Sequence, residues 1–449
     1  MNQTIVAPMT VHGVSAIAAL RVSGPAVRQV LVTLFNNENP IPRHAYYGNA
    51  VDPHTQKTID SLLYLFFNSP HSYTGEDTLE LYPHGNPLIV RSLINVISSL
   101  PNVRIAEPGE FTERAFLNGK LDLVQAEAVA DVIHSTTTSA LENARRLLRG
   151  KFSTRVHELT EVIKDLSIRL ELDVDFAEEE VDPDTSSWRP KLENLHQQIS
   201  RLINDFQSAE TANHLPLVVI YGAPNAGKSS LINALLEEER LLVSSIPGTT
   251  RDFVEVRLLL SGGEIRLVDT AGISDHATDL LDSLSMEKSR KILKDADLKI
   301  CLIDGSKPET LKDAIAQAQE ENALIIISKA DLFNAEELKN EFPKKALFTS
   351  TKEDVHLHLS NLKSLLNEKL FPPRQIEESF WITSERQKNC LKEAKEGIEK
   401  MLVLIDQNPA VELIAFEMQI VRRELLSITG EISSEDILQS IFSGFCIGK

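Results

Sequence analysis

The stretch "GAPNAGKSSLINALL", Gly222–Leu236, comes directly after the apolar run "LPLVVIY" at 215–221. A short apolar run that ends in glycine reads as a buried strand, and the helix formers after Lys228 read as a helix. Gly222, Gly227, Lys228 and Ser229 satisfy the pattern G-x-x-x-x-G-K-[ST]. In such a loop the backbone amides cradle phosphates, the lysine reaches the β and γ groups, and the hydroxyl holds magnesium. Asn225, Ala226, Gly227, Lys228, Ser229 and Ser230 are therefore assigned to nucleotide contact. Strand, glycine loop and helix in that order predict an α/β unit around this point.

Outward from the loop, "EVRLLL", "EIRLVDT", "LKICLID", "ALIIIS" and "ALFTS" alternate with helical stretches. This predicts a sheet with helices on both faces over 215–372. Residues 1–118 mix β-rich runs with turn signals and one helical segment near 87–100, an α+β pattern. From 119 to 214 the apolar residues recur at spacings of three and four, broken by the acidic run "DFAEEEVDPDTSS", and 373–449 is again helical. Each helical part alone would expose an apolar face, so the two are predicted to pack as one discontinuous domain with the α/β unit inserted.

The bulk numbers fit a multidomain chain: 449 residues exceed what one core can organise. No apolar run is long enough to span a bilayer, and "MNQTIVAPMTVHG" lacks the basic flank and apolar stretch of a signal peptide, so a cytoplasmic location is expected. The three cysteines, Cys301, Cys390 and Cys446, make no disulfide framework and have no metal-ligand spacing. A net charge of −19 disfavours nonspecific nucleic-acid binding. The clearest candidates for a local basic surface are Arg145, Arg146, Arg149, Lys151 and Arg155, and the pair Arg422 and Arg423, although a solvated helix face is the favoured reading of either cluster alone.

Two further motifs follow the loop in order. "DTAG", Asp269–Gly272, ends the strand "EIRLV": its carboxylate suits magnesium through water and the Gly272 amide suits a γ-phosphate, with Thr270 and Ala271 between them. "SSIPGTT", Ser244, Ser245, Ile246, Pro247, Gly248, Thr249 and Thr250, lies between loop and strand, where Thr250 completes the metal shell as a switch residue. The three together read as a switch-type GTPase. Base choice is expected from Asn-Lys-x-Asp, but the chain reads "SKAD", Ser328, Lys329, Ala330 and Asp331, with Ser350 in the last guanine-contacting loop. A hydroxyl makes fewer bonds than an amide, so guanine preference should survive through Asp331 at lower affinity. Ile273 stands where many GTPases place a water-orienting Gln, so the catalytic group must come from elsewhere, with Asn225 and the carboxylates of "SDHATDLLDS" as leads.

"GAPNAGKSSLINAL", "IPGTTRD", "DTAG", "GEDTLEL", "EPGEFTERAFLNGKLDLVQAEAVAD" and the final "FCIGK", Phe445–Lys449, resemble the MnmE (TrmE) family of tRNA-modification GTPases across essentially the whole chain. The resemblance implies a folate-binding and dimerising domain at 1–118, a helical domain at 119–214 and 373–449, and an inserted Ras-like P-loop domain at 215–372. It implies a homodimer and a heterotetramer with an MnmG (GidA)-type flavoprotein carrying FAD. Together these install carboxymethylaminomethyl or aminomethyl groups at the wobble uridine of certain tRNAs, using GTP and a 5-formyltetrahydrofolate-type carrier. It also implies potassium held by Asn225, Ser244, Ile246 and Thr249, and magnesium held by Ser229 and Thr250, which accounts for the missing Gln. Asp282 best matches the family's water-positioning Glu, in a segment one residue longer, and Arg21, Glu80, Lys120 and Lys449 match the folate contacts. Cys446 reads either as a nucleophile or as a structural residue. A regulatory switch without a direct role in modification is the alternative, which the N-terminal match and "FCIGK" argue against.

Overall fold

The structure, a computed structural model, describes residues 3–175, 188–207, 209–237, 254–269, 291–332, 346–372, 380–407, 411–445 and 448. The chain divides into two units, which are described in turn.

The first unit takes in Met1–Ile133, Asn143–Ser208 and Phe380–Lys449. Its strands are β1 (Thr4–Pro8), β2 (Ser15–Ile17), β3 (Leu20–Ser23), β4 (Ala45–Val51), β5 (Thr58–Phe67), β6 (Thr78–Tyr82), β7 (His84–Gly85) and β8 (Val103–Ile105). Six of them form one sheet in the order β4-β5-β6-β3-β1-β8, and β2 pairs with β7. One face of the sheet is buried along its length: Val6, Leu20, Val22, Leu62, Phe66, Leu79 and Leu81 pack with Val30, Leu34, Leu93 and Ile97 from the helices Val27–Phe35 and Pro87–Ser98, while on the other face Ile5 and Ala7 of β1 pack with Ala106 and Phe111. The second of these helices starts where the sequence says it should. Asn86 accepts from the Leu88 amide at 2.9 Å, and Pro87 occupies the first turn, where no amide is needed.

The helices Leu123–His134, Lys151–Asp175, Trp188–Asn204, Glu385–Gln407 and Val411–Thr429 share a single apolar cluster. Phe152, Ile163, Trp188 and Leu195 from the earlier stretch interlock there with Ile398, Met401, Met418 and Leu425 from the later one. A polar clasp joins the same two stretches. Arg386 donates from Nε and Nη2 to Glu127, at 2.9 and 3.1 Å, and from its Nη groups to the carbonyls of Ser427 and Ile428. Those carbonyls lie in the last turn of Val411–Thr429, which a guanidinium suits because they have no partner within the helix. The short helix Glu435–Ser443 rests on Glu110–Leu117, where a β-carbon on Gly109 would stand 2.4 Å from the Phe442 carbonyl oxygen.

The second unit takes in His134–Glu142 and Ala209–Ser379. Its strands are β9 (Leu217–Tyr221), β10 (Val254–Leu260), β11 (Gly263–Asp269), β12 (Leu298–Asp304), β13 (Leu324–Ser328) and β14 (Leu347–Phe348), in the order β10-β11-β9-β12-β13-β14. Only β10 and β11 are antiparallel; the remaining pairs are parallel, so the interior strands are apolar on both sides. Val218 and Ile220 face Leu231, Leu235 and Leu362 of the helices Lys228–Glu237 and Val355–Leu370. Cys301, Ile303, Ile325 and Ile327 face Leu311 and Ala318 of the helix Pro308–Glu320 on the opposite side.

Two assignments differ from the sequence reading. Residues 1–118, read with one helical segment near 87–100, are helical over Val27–Phe35 and Glu110–Leu117 as well, because each turns an apolar side into a core. Residues 134–142, read as part of the helical domain, group with the second unit because their backbone completes the β10–β11 turn. Thr138 N donates to Gly262 O, Glu264 N donates to Thr136 O, both at 2.9 Å, and Thr138 Oγ1 reaches Ser261 O. Residues 209–214 follow: Asn213 accepts from the Thr136 amide through Oδ1. Periodicity marks helix but is silent on which core a helix end serves.

Arg386→Ala removes the clasp and leaves Glu127 facing its own half-buried surroundings. Urea unfolding followed by tryptophan fluorescence, with both Trp188 and Trp381 in this unit, should show a loss of about 2–4 kcal/mol. Lys164→Ala, which removes an exposed pair with Glu161, should stay within about 0.5 kcal/mol.

Candidate active site at the strand ends

β9 runs between β11 and β12, so whatever follows it is flanked by the ends of both neighbours. Gly222 leaves the strand at φ +149, where an added β-carbon would lie 2.1 Å from Leu302 O. Asn225 and Gly227 both have positive φ, at 62 and 97. Turns of this kind bring successive amides to one side of the chain, a cradle for anions. The helix Lys228–Glu237 then begins, and its first-turn amides add their partial positive charge at the same place. Ala226 and Lys228 are buried, while Asn225, Ser229 and Ser230 are exposed.

Lys228 Nζ lies 3.0 Å from the carbonyls of both Gly222 and Ala223, so its ammonium sits over the loop. Ser229 donates to Asp269 Oδ2 at 2.7 Å. The β11 register places Asp269 beside Ile220, one turn of chain from the loop, and buries its residue to 4% exposure. A hydroxyl and a carboxylate this close offer hard oxygen ligands, the donor set that magnesium takes beside phosphates.

The next strands deliver the other half of the site. β12 and β13 end together, Asp304 opposite Ser328. Ser328 is 6% exposed, with its hydroxyl 2.7 Å from Ala226 O and 3.1 Å from Ile303 O. Lys329, at φ +58, reaches Asp304 Oδ2 at 2.6 Å, and the Ser306 hydroxyl donates to Asp304 Oδ1, also at 2.6 Å. Burial raises the Asp304 pKa, but Lys329 and Ser306 outweigh it and hold the carboxyl below its ordinary value. Asp331 accepts from Ser350 Oγ at 2.7 Å, and that oxygen in turn accepts from the amides of Lys352 and Glu353, both at 3.1 Å. Ala330 N donates to Thr349 O, which ties the two loops. The structure thus brings together Asn225–Ser230, Asp269, Ser328–Asp331 and Ser350 at one sheet edge. Ser244–Thr250, Thr270, Ala271, Gly272 and Asp282 lie outside the described residues.

In the first unit Arg21 and Glu80 are cross-strand partners on β3 and β6, with Nη2 2.9 Å from Oε1. Tyr82 donates to the other oxygen of Glu80 at 2.6 Å, and its phenol is pushed up to about 12 by burial and by that carboxylate. The Arg21 guanidinium also lies over the rings of Tyr73 and Phe111, 4.7 and 5.8 Å from their centroids. Lys120 bonds instead to Pro70 O, at 3.1 Å, at the start of the segment that carries Tyr73. Lys449 and Cys446 are outside the described residues, but Gly448 lies against β1, where its β-carbon would be 2.1 Å from Pro8 O. Pro8 pairs with Leu20, next to Arg21.

Asp304, Ser306, Tyr73 and Tyr82 were not singled out by the sequence, because none belongs to a fixed-spacing motif. Asp304 meets Lys329 because β12 lies beside β13, while Ser306 bonds Asp304, Tyr82 bonds Glu80 and the Tyr73 ring meets Arg21 through the fold around them. Of the basic clusters, Arg155 pairs with Glu158 and Arg423 with Glu424. Burial pushes the thiols of Cys301 and Cys390 up to about 11, away from reactive thiolate.

Comparison with known proteins covers the whole chain. A family profile described as the MnmE helical domain matches residues 123–446, and one described as the GTP-binding protein TrmE N-terminus matches residues 4–120. A protein of Syntrophus aciditrophicus named tRNA modification GTPase MnmE is 38% identical over 100% of both chains. Proteins of that same name from Aquifex aeolicus and Stutzerimonas stutzeri are each 37% identical, over 100% of this chain and 100% and 99% of their own.

Because the Asp304 pKa is depressed, the stability it confers is present above the ordinary carboxylate value and is lost as pH falls through the folded value. Melts followed by circular dichroism should therefore fall more steeply below about pH 4 in the unaltered protein than in Asp304→Asn. Equal acid slopes in the two proteins would show that the ion pair adds nothing.

Proposed function

This chain belongs to the MnmE family of tRNA modification GTPases, and from that premise we propose how its residues divide the work. It is a GTP hydrolase acting in tRNA modification. The observation that carries the reading is the Ser229–Asp269 bond at 2.7 Å beside the buried Lys228, at the carboxyl edge of a parallel sheet. Ligands of such sheets bind at that edge, where loops from adjacent strands converge.

In this reading the amides of 222–230 hold the GTP phosphates, and Lys228 turns its ammonium from the loop carbonyls to the β and γ oxygens. Ser229 and Thr250, with Asp269 nearby, would hold magnesium, and Asn225, Ser244, Ile246 and Thr249 would hold potassium. Both ions would supply positive charge where negative charge develops on the phosphates. The Gly272 amide, next to Thr270 and Ala271, meets the γ-phosphate, and Ser245, Pro247 and Gly248 shape the switch segment. Asp282 orients the attacking water, a task the apolar Ile273 cannot perform. Asp331, steadied by Ser350 and flanked by Lys329 and Ala330, accepts the two N–H donors of guanine.

The modified position is C5 of the wobble uridine, where a carboxymethylaminomethyl or aminomethyl group is added together with an MnmG-type flavoprotein bearing FAD. The protein acts as a homodimer and in a heterotetramer with that partner, in the cytoplasm. Among the described residues no helix is long and apolar enough to cross a membrane. Arg21, Glu80, Lys120 and Lys449 hold a 5-formyltetrahydrofolate-type carrier. The fit is chemical: Glu80 accepts pterin donors, and the cations suit a glutamate tail. With a net charge of −19, phosphate contacts to tRNA are either concentrated in a few places on this chain or supplied largely by the partner.

Steady-state GTP hydrolysis at saturating nucleotide, compared in potassium and sodium at equal ionic strength, tests this division. The rate should be about 10²-fold higher in potassium, and Asn225→Ala should remove the difference while leaving GTP bound. Equal rates in the two salts would remove the cation from the mechanism.

A further inference from the structure

Ser328 stands in the first position of "SKAD", where a base-reading side chain is expected, but its hydroxyl is already engaged. A hydroxyl has one proton to donate. The shortest contact is to Ala226 O inside the phosphate loop, at 2.7 Å, and the second acceptor, Ile303 O, is also backbone. The side chain is short, its residue is 6% exposed, and the β12–β13 register fixes its position opposite Asp304. Guanine presents acceptors at N7 and O6 on one edge and N–H donors at N1 and N2 on another. Asp331, with Ser350 holding Oδ1, is an acceptor and suits only the donor edge.

We infer that Ser328 is a positioning residue that ties the phosphate loop to the ends of β12 and β13, and that the N7 atom of the bound purine is not read by this protein. This rests on the GTP-binding reading above. Specificity then comes from the donor edge alone, through Asp331. Loss of the Ser328 hydroxyl loosens the loop and weakens every nucleotide that carries phosphates, whatever its base. An asparagine at the same position, with two N–H donors, keeps the tie and adds a donor to the N7 edge.

Two measurements on the full chain test this. The first is equilibrium binding, by competition against a fluorescent GDP, of GTP, 7-deaza-GTP and ITP. The unaltered protein should bind GTP and 7-deaza-GTP within about twofold of each other, and bind ITP about tenfold or more weakly, since ITP lacks the N2 donors. Ser328→Ala should weaken GTP and 7-deaza-GTP by the same factor, about fivefold. Ser328→Asn should bind GTP more tightly than 7-deaza-GTP. The second is amide hydrogen exchange across 222–229 without nucleotide, which should quicken in Ser328→Ala and return to the original rate in Ser328→Asn. A clear preference of the unaltered protein for GTP over 7-deaza-GTP, or unchanged exchange in Ser328→Ala, overturns the inference. Absence of any GTP binding would instead overturn the GTPase reading, and the exchange result would still decide the tie.

Discussion

A β-carbon on Gly222 would lie 2.1 Å from the carbonyl oxygen of Leu302, and the rest of the site depends on that close approach. It lets β9 end hard against β12, so that the loop turns out over the strand ends while its neighbours stay in register. A side chain there would push the loop away from the sheet. Lys228 would then lose its place over Gly222 and Ala223, and the contacts that reach the loop from β11 and β13 would no longer meet it. The chemistry is thus anchored from three strands, each contributing one hydrogen-bonded side chain at its last residue or just beyond: Ser229 to Asp269, Ser328 to Ala226, Lys329 to Asp304.

The first unit solves a different problem, that of a core assembled from chain segments separated by an entire second unit. Apolar interlocking supplies most of the attraction, since Ile398 and Met418 bury themselves among Phe152, Ile163 and Leu195. It does not specify register. The Arg386 guanidinium does, because its planar donors must meet Glu127 and two helix-end carbonyls at once.

How much of this was legible beforehand follows from what a sequence encodes locally. β9 to β14 were readable from apolar runs bounded by turn residues, and the phosphate loop from fixed spacing, because in both cases the signal and its physical cause lie within a few residues. Ser328 was legible as a departure from a pattern, but its bond to Ala226 was not, since the two are 102 positions apart. Asp304 and Ser306 were invisible for the same reason. Arg21 and Glu80 were reached only through a family resemblance; their pairing is a property of β3 lying beside β6. Residues 134–142 were assigned to helix by their period, whereas their unit was decided by backbone groups that carry no periodic signal.

That last segment also bears on how the second unit would behave in isolation. Thr136 and Thr138 meet the β10–β11 turn through backbone bonds to Gly262 and Glu264, and Asn213 fastens Thr136 in turn. A fragment cut at residue 215, where the α/β texture begins, would discard every one of these partners and leave the hairpin tip to its contacts with Asn367 and Phe371. Such a fragment would be frayed at the tip of the hairpin whose other end carries Asp269. The portable piece is not the contiguous one: it needs nine residues borrowed from far upstream.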